Sequence, residues 1–201
     1  MEKTNAFRSY GKVVAIASST GGPKALQTLL PMISEKLDAP VLIVHHMPEN
    51  FTAALAERLN SLSGLEIKEA QEGDRLEAGH VYLAKGGIHM RVCKVAGRHL
   101  IRFSDEPPRE GVKPCANYLY ESLETSGYDE VICVVLTGMG ADGTQGITNL
   151  KQRKNVTVFA QNEESCAVFG MPRSAIKAGL ADKGITLEQI AHEIEKNAGV
   201  K

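Results

Sequence analysis

Val13-Val14-Ala15-Ile16-Ala17-Ser18-Ser19-Thr20-Gly21-Gly22-Pro23 is an apolar run that stops in hydroxyls and glycines just before a helical pattern begins. Val13 to Ala17 have no polar residue alternating with them, which suits a strand buried on both faces in a parallel sheet covered by helices. Gly21 and Gly22 allow a sharp turn, and Pro23 fits the first turn of a helix, where its missing N–H has no intrahelical partner to lose. Ala25, Leu26, Leu29 and Leu30 follow at helical spacing, and Pro31 is expected to break or kink that helix. Ser18, Ser19 and Thr20 therefore fall at the carboxyl end of a strand, where open α/β sheets place their chemistry.

The same pattern recurs along the chain. Val41-Leu42-Ile43-Val44 reads as a second buried strand, ending in His45-His46-Met47-Pro48. Val131 to Leu136 is the strongest apolar run, and it discharges into Thr137-Gly138-Met139-Gly140-Ala141-Asp142-Gly143. His80 to Ala84 and Val156 to Ala160 read as further strands and Leu65 to Lys68 as a half-buried one. His89 to Val92 and His99 to Phe103 read as an antiparallel hairpin around Ala96-Gly97-Arg98. Helices are expected from Asn50 to Leu59, with Thr52 as a cap, and over Asn117 to Thr125, Gln145 to Arg153 and Arg173 to Ala178. A last helix opens with Thr186-Leu187-Glu188-Gln189, a capping box. The expected fold is α/β: a doubly wound, mostly parallel sheet with helices on both faces and an antiparallel hairpin.

The chain has 201 residues, 43% of them hydrophobic and 23% charged, which suits one domain with a full core. Residues 1–11 are polar and read as a tail or linker remnant, with the domain over residues 12–201. A net charge of −1, with dispersed basic residues, points away from nucleic acid and anionic membranes. No apolar run reaches the ~20 residues that span a bilayer, and the first residues lack the core of a signal peptide, so a cytoplasmic location is expected. Cys93, Cys115, Cys133 and Cys166 are far apart and lack zinc-ligand spacing, so they read as reduced thiols, with neither metal nor disulfide scaffold.

Seen alone, the loop after the first strand has three readings: a plain turn with a small-residue cap, a phosphate cradle at a helix N-terminus, or a nucleophile elbow. The wider pattern adds a histidine and an acid at two other strand ends. Adjacent side chains of a strand point to opposite faces, so His45 and His46 cannot both serve one site, and a two-histidine metal centre is disfavoured. A lone Asp142 lacks the acidic repeat of a calcium loop. Ser, His and Asp supply a nucleophile, a base and an orienting carboxylate. Their order differs from the Ser…Asp/Glu…His of α/β-hydrolases, and Ser18-Ser19-Thr20 lacks the Gly-x-Ser-x-Gly elbow. A non-catalytic module binding a phosphorylated metabolite through the glycine loops is the competing class.

Ser19-Thr20-Gly21-Gly22, His46-Met47-Pro48, Thr137-Gly138-Met139-Gly140-x-Asp142-Gly143 and Ala160-Gln161-Asn162-Glu163-x-Ser165-Cys166-x-Val168-Phe169-Gly170-Met171-Pro172 together resemble the catalytic domain of bacterial chemotaxis protein-glutamate methylesterases, the CheB family. The resemblance implies hydrolysis of glutamate methyl esters on the cytoplasmic helices of methyl-accepting chemoreceptors, with release of methanol and often deamidation of receptor glutamines. It implies no cofactor or metal. It carries over Ser19 as nucleophile, His46 as general base and Asp142 as its partner, with Thr20 and His45 lining the site and the backbone near Met139 stabilising the oxyanion. Departures are His45, where many members have Gln, Ala17-Ser18 in place of Gly-Ala, and Cys115-Ala116-Asn117 in place of Ser-x-Asp. The family usually carries an N-terminal receiver domain, for which 201 residues leave no room, so an isolated catalytic domain or a stand-alone member is expected.

Overall fold

The computed structural model describes residues 11–201; most of the expected N-terminal tail, residues 1–10, lies outside that range. Seven strands form one parallel sheet in the order β3-β4-β2-β1-β7-β8-β9. They are β1 (Lys12–Ser18), β2 (Val41–His45), β3 (Glu66–Glu69), β4 (His80–Leu83), β7 (Glu130–Val135), β8 (Asn155–Gln161) and β9 (Gly184–Ile185). A separate antiparallel hairpin pairs β5 (His89–Val95) with β6 (Arg98–Ser104).

The unbroken apolar strands are explained by what covers them. Val14, Ile16, Val41, Ile43, Ile132 and Val134 face one core, closed by α1 (Gly22–Leu29), α2 (Thr52–Asn60) and α6 (Leu187–Ala198). Val13, Ala15, Ala17, Leu42, Val44 and Cys133 face the other core. It is closed by α3 (Ala116–Ser122), α4 (Thr144–Lys151), α5 (Met171–Lys177) and the hairpin residues Met90, Val92 and Ile101. With both faces buried, no position on the central strands calls for a polar residue.

Pro31 ends the regular helix as expected: α1 stops at Leu29 and Leu30–Met32 continue as a 3-10 turn. The capping box at Thr186 is formed, with its side chain accepting from Gln189 N–H and the Gln189 side chain returning the bond. Two expectations need correction. Thr52 does not cap α2: it is the first residue of that helix, and its buried hydroxyl donates to Glu69 Oε1 and accepts from Gly86 N–H, tying α2 to the β4 loop. The hairpin turn is Ala96-Gly97 alone, both at positive φ, while Arg98 already pairs with Val95; that is the backbone a two-residue turn needs to match strand twist. The two-residue strand β9, too short to show periodicity, was not anticipated.

The connection from β1 runs through α1 to β2 on one side, while β7 runs through α4 to β8 on the other. The carboxyl ends of the neighbouring strands β1 and β7 therefore flank the point where the winding reverses, and the crevice there is the general ligand position of such sheets.

Candidate active site

Strand pairing continues past the end of β1. Ser19 N–H donates to Thr137 O at 2.9 Å, and His46 N–H donates to Ser18 O at 3.1 Å. The residues just beyond β1, β2 and β7 are thus held side by side by backbone bonds. Gly22 N–H donates to Ser19 O at 2.7 Å, closing the turn into α1. Gly138 has to be glycine for this approach, because a Cβ there would lie 2.8 Å from Ser19 Cβ and would collide with Met171 Sδ.

His46 Nε2 lies 2.6 Å from Asp142 Oδ2. Asp142, 2% exposed, is gripped from several directions. Its Oδ2 also accepts from Ala116 N–H at 2.7 Å, and its Oδ1 accepts from Asn117 N–H and from Cys115 Sγ, both at 3.0 Å. These donors come from the start of α3, whose first-turn N–H groups have no partner within the helix. Asn117 Oδ1 in turn accepts from Gly143 N–H and Gly146 N–H, locking the start of α4 to the same point. Burial alone would raise the Asp142 pKa, but the bonds from His46, Cys115 and Ala116 outweigh it and hold the carboxyl below its ordinary value. Asp142 is therefore an anion, and His46 directs its Nε2–H at it, which leaves Nδ1 as the basic nitrogen.

The structure joins His46 to Asp142 directly and sets Ser19 beside them through the backbone; the Ser19 hydroxyl makes no hydrogen bond among the described residues. Met139 is 74% exposed at the tip of the β7 loop, and its N–H is free of hydrogen bonds among the described residues. Thr20 is exposed on the turn, and its C=O accepts from Thr137 Oγ1 at 2.9 Å. His45 takes a different place from the one expected of a residue lining the open site. It is 3% exposed on the opposite face, where its Nδ1 lies 3.0 Å from Ser18 Oγ.

Two groups of supporting residues were missed in the sequence. Gln161, fully buried, accepts from Thr137 N–H with Oε1 and donates from Nε2 to Ser165 O, bracing the β7 loop against the segment after β8. The start of α3, Cys115 to Asn117, holds the acid. A polar residue ending an apolar strand was the available signal for Gln161, and a helix start was the signal for α3. Glu163 is exposed in a 3-10 turn and is no partner of His46. Of the glycine N–H groups that a phosphate cradle would use, those of Gly22, Gly138 and Gly143 are engaged within the protein. Among the described residues no group of three or more His, Cys, Asp and Glu is placed to hold a metal ion, and no helix is long and apolar enough to cross a membrane.

Comparison with known proteins identifies the family. The family model described as CheB methylesterase matches residues 14–194. A protein-glutamate methylesterase/protein-glutamine glutaminase of Geobacillus kaustophilus is 43% identical over 194 residues, covering 96% of this chain and 56% of the relative. One of Bacillus subtilis with the same name is 44% identical over 184 residues, 91% of this chain and 51% of the relative. The crystal structure of the Thermotoga maritima CheB methylesterase catalytic domain superposes with a TM-score of 0.89 at 36% identity, covering 93% of this chain and 98% of that one. The chain spans about half the length of the curated relatives it matches, the part that corresponds to the catalytic domain. The chain belongs to the CheB methylesterase family.

Proposed function

We propose that this chain is a serine esterase that hydrolyses glutamate methyl esters on the cytoplasmic helices of chemoreceptors, acting in the cytoplasm in chemotactic adaptation. The observation that carries this reading is the 2.6 Å bond between His46 and the buried Asp142, formed one strand away from Ser19 at the winding reversal of the sheet. A regulatory domain, in keeping with the greater length of the relatives, is the natural partner of the catalytic domain.

The Ser19 hydroxyl attacks the ester carbonyl carbon as His46 Nδ1 takes its proton. Asp142 holds the ring in the tautomer that leaves Nδ1 basic, and it stabilises the imidazolium that forms. The carbonyl oxygen becomes an oxyanion, for which the Met139 N–H is an available donor, with Thr20 at the rim. Collapse breaks the bond to the methoxy oxygen, which leaves as methanol with the proton from His46. Water then attacks the acyl-serine, His46 accepts its proton, and Ser19 leaves reprotonated, freeing the glutamate carboxyl group. With glutamine as substrate the same sequence releases ammonia.

The test is methanol release from a methylated receptor fragment. The parent chain is expected to release it and Ser19→Ala is not; equal release by both would refute the reading.

A further inference from the structure

Ser18 and His45 are register partners at the ends of β1 and β2, and their side chains meet on the face away from Asp142. We propose that this buried pair is a positioning device for the reaction: the Ser18–His45 hydrogen bond fixes the two strand ends from which Ser19 and His46 project on the other side. The inference rests on the esterase reading of that site.

Three features of the geometry converge on it. The pair is inaccessible, Ser18 at 0% and His45 at 3% exposure, so it cannot itself meet a substrate. It is also covalently adjacent to both reacting residues: Ser18 precedes Ser19, His45 precedes His46, and the His46 N–H to Ser18 O bond links the same two strand ends through the backbone. Finally, the imidazole forms the floor of the nucleophile turn. A Cβ on Gly22 would lie 2.7 Å from His45 Nδ1 and Cε1 and 2.9 Å from Ser18 Oγ, so the first residue of α1 rests directly on the pair. Because Gly22 N–H donates to Ser19 O, a shift of the ring moves the turn that carries the nucleophile. Burial and the neighbouring His46 keep His45 neutral, down to a pKa of about 4, so the support adds no positive charge behind the base.

Without the bond the two strand ends lose their side-chain tie, and the distance from Ser19 to His46 is set less sharply. Such a change acts on the chemical step and leaves substrate contacts in place, so it lowers kcat and spares KM.

The experiment is steady-state methanol release by the parent chain and by Ser18→Ala, His45→Ala, the double variant, His45→Asn and Ser19→Ala. Ser18→Ala and His45→Ala are each expected to lower kcat about tenfold with KM within about twofold, and the double variant to be no worse than the poorer single one. His45→Asn, whose amide can occupy the place of Nδ1, is expected to restore kcat to within about twofold of the parent. Multiplying losses in the double variant, losses confined to KM, or His45→Asn as poor as His45→Ala would overturn the proposal. If His45→Ala does not fold, Ser18→Ala decides, and an unchanged kcat overturns it. Ser19→Ala separates the two levels: if it is dead while the pair behaves otherwise than expected, only the positioning proposal fails. If Ser19→Ala is as active as the parent, the esterase reading itself fails.

Discussion

Cys115 donates its thiol hydrogen to Asp142 Oδ1 across 3.0 Å, in a site closed to solvent. Burial, together with the Asp142 charge, pushes the thiol pKa up to about 12, so this cysteine is a hydrogen-bond donor and a poor nucleophile. Alkylation of the folded protein near neutral pH should label the partly exposed Cys93 first, then more slowly Cys166, whose thiol burial pushes up to about 11, and leave the buried Cys115 and Cys133 intact. Peptide mapping after iodoacetamide treatment checks this; rapid loss of the Cys115 thiol would contradict it.

The same bond contributes to the acid stability of the fold. The Asp142 pKa is lowered in the folded state, so its stabilisation is present above the unfolded carboxylate pKa and is lost as pH falls through the folded value. Cys115→Ala removes one donor to the charged form and raises that folded pKa. Cys115→Ser, which keeps a donor, is expected to preserve the difference in unfolding free energy between neutral and acid pH. Cys115→Ala is expected to shrink it, as measured by denaturant titration at both pH values.

His45 has the opposite linkage. Its folded pKa is about 4 against the ordinary 6.5, through burial first and the neighbouring His46 second, with a hydrogen bond to the Ser18 backbone acting against them. Above about pH 6.5 the group is neutral in both states and has no effect. Between that and about pH 4 only the unfolded chain takes up the proton, so stability falls, by about 3 kcal/mol over the whole window. His45→Gln does not titrate, and its unfolding free energy should decline less over the same range. Parallel curves for the two proteins would contradict the assignment.

The strand framework was legible because Val13 to Ala17, Val41 to Val44 and Val131 to Leu136 are covered on both faces, which leaves the sequence no polar interruption. The opposite facing of His45 and His46 was also readable, from the two-residue period of a strand. The grip on Asp142 was not. Cys115 to Asn117 lie 25 to 27 residues away from it in sequence, and nothing local says that the start of α3 will land on the β7 loop. The Ser18–His45 bond was hidden for the same reason: it depends on which residue of β1 lies opposite which residue of β2, and that register is a property of the sheet. Thr52 misled because a hydroxyl near a helix start usually caps it, whereas here a half-buried acceptor on β3, Glu69, accepts its hydrogen bond.

Asp142→Asn should remain folded and lose roughly 10⁴ in turnover, because an amide can present its N–H to the ring and favour the wrong tautomer. Glu163→Gln, at an exposed position on the next loop, should turn over normally. Methanol release by both variants, with circular dichroism as the check on folding, decides; the reverse ranking would move the third member of the triad to the loop after β8.

The central claim is that Ser19, rather than Ser18, is the nucleophile. Its most direct test is reaction of the folded protein with a fluorophosphonate, followed by mass-spectrometric mapping of the adduct. The geometry predicts one adduct, on Ser19, which stands at the open end of the loop beside His46, and none on Ser18, which is sealed against His45. An adduct on Ser18, or methanol release by a chain that forms no adduct at Ser19, would contradict the account.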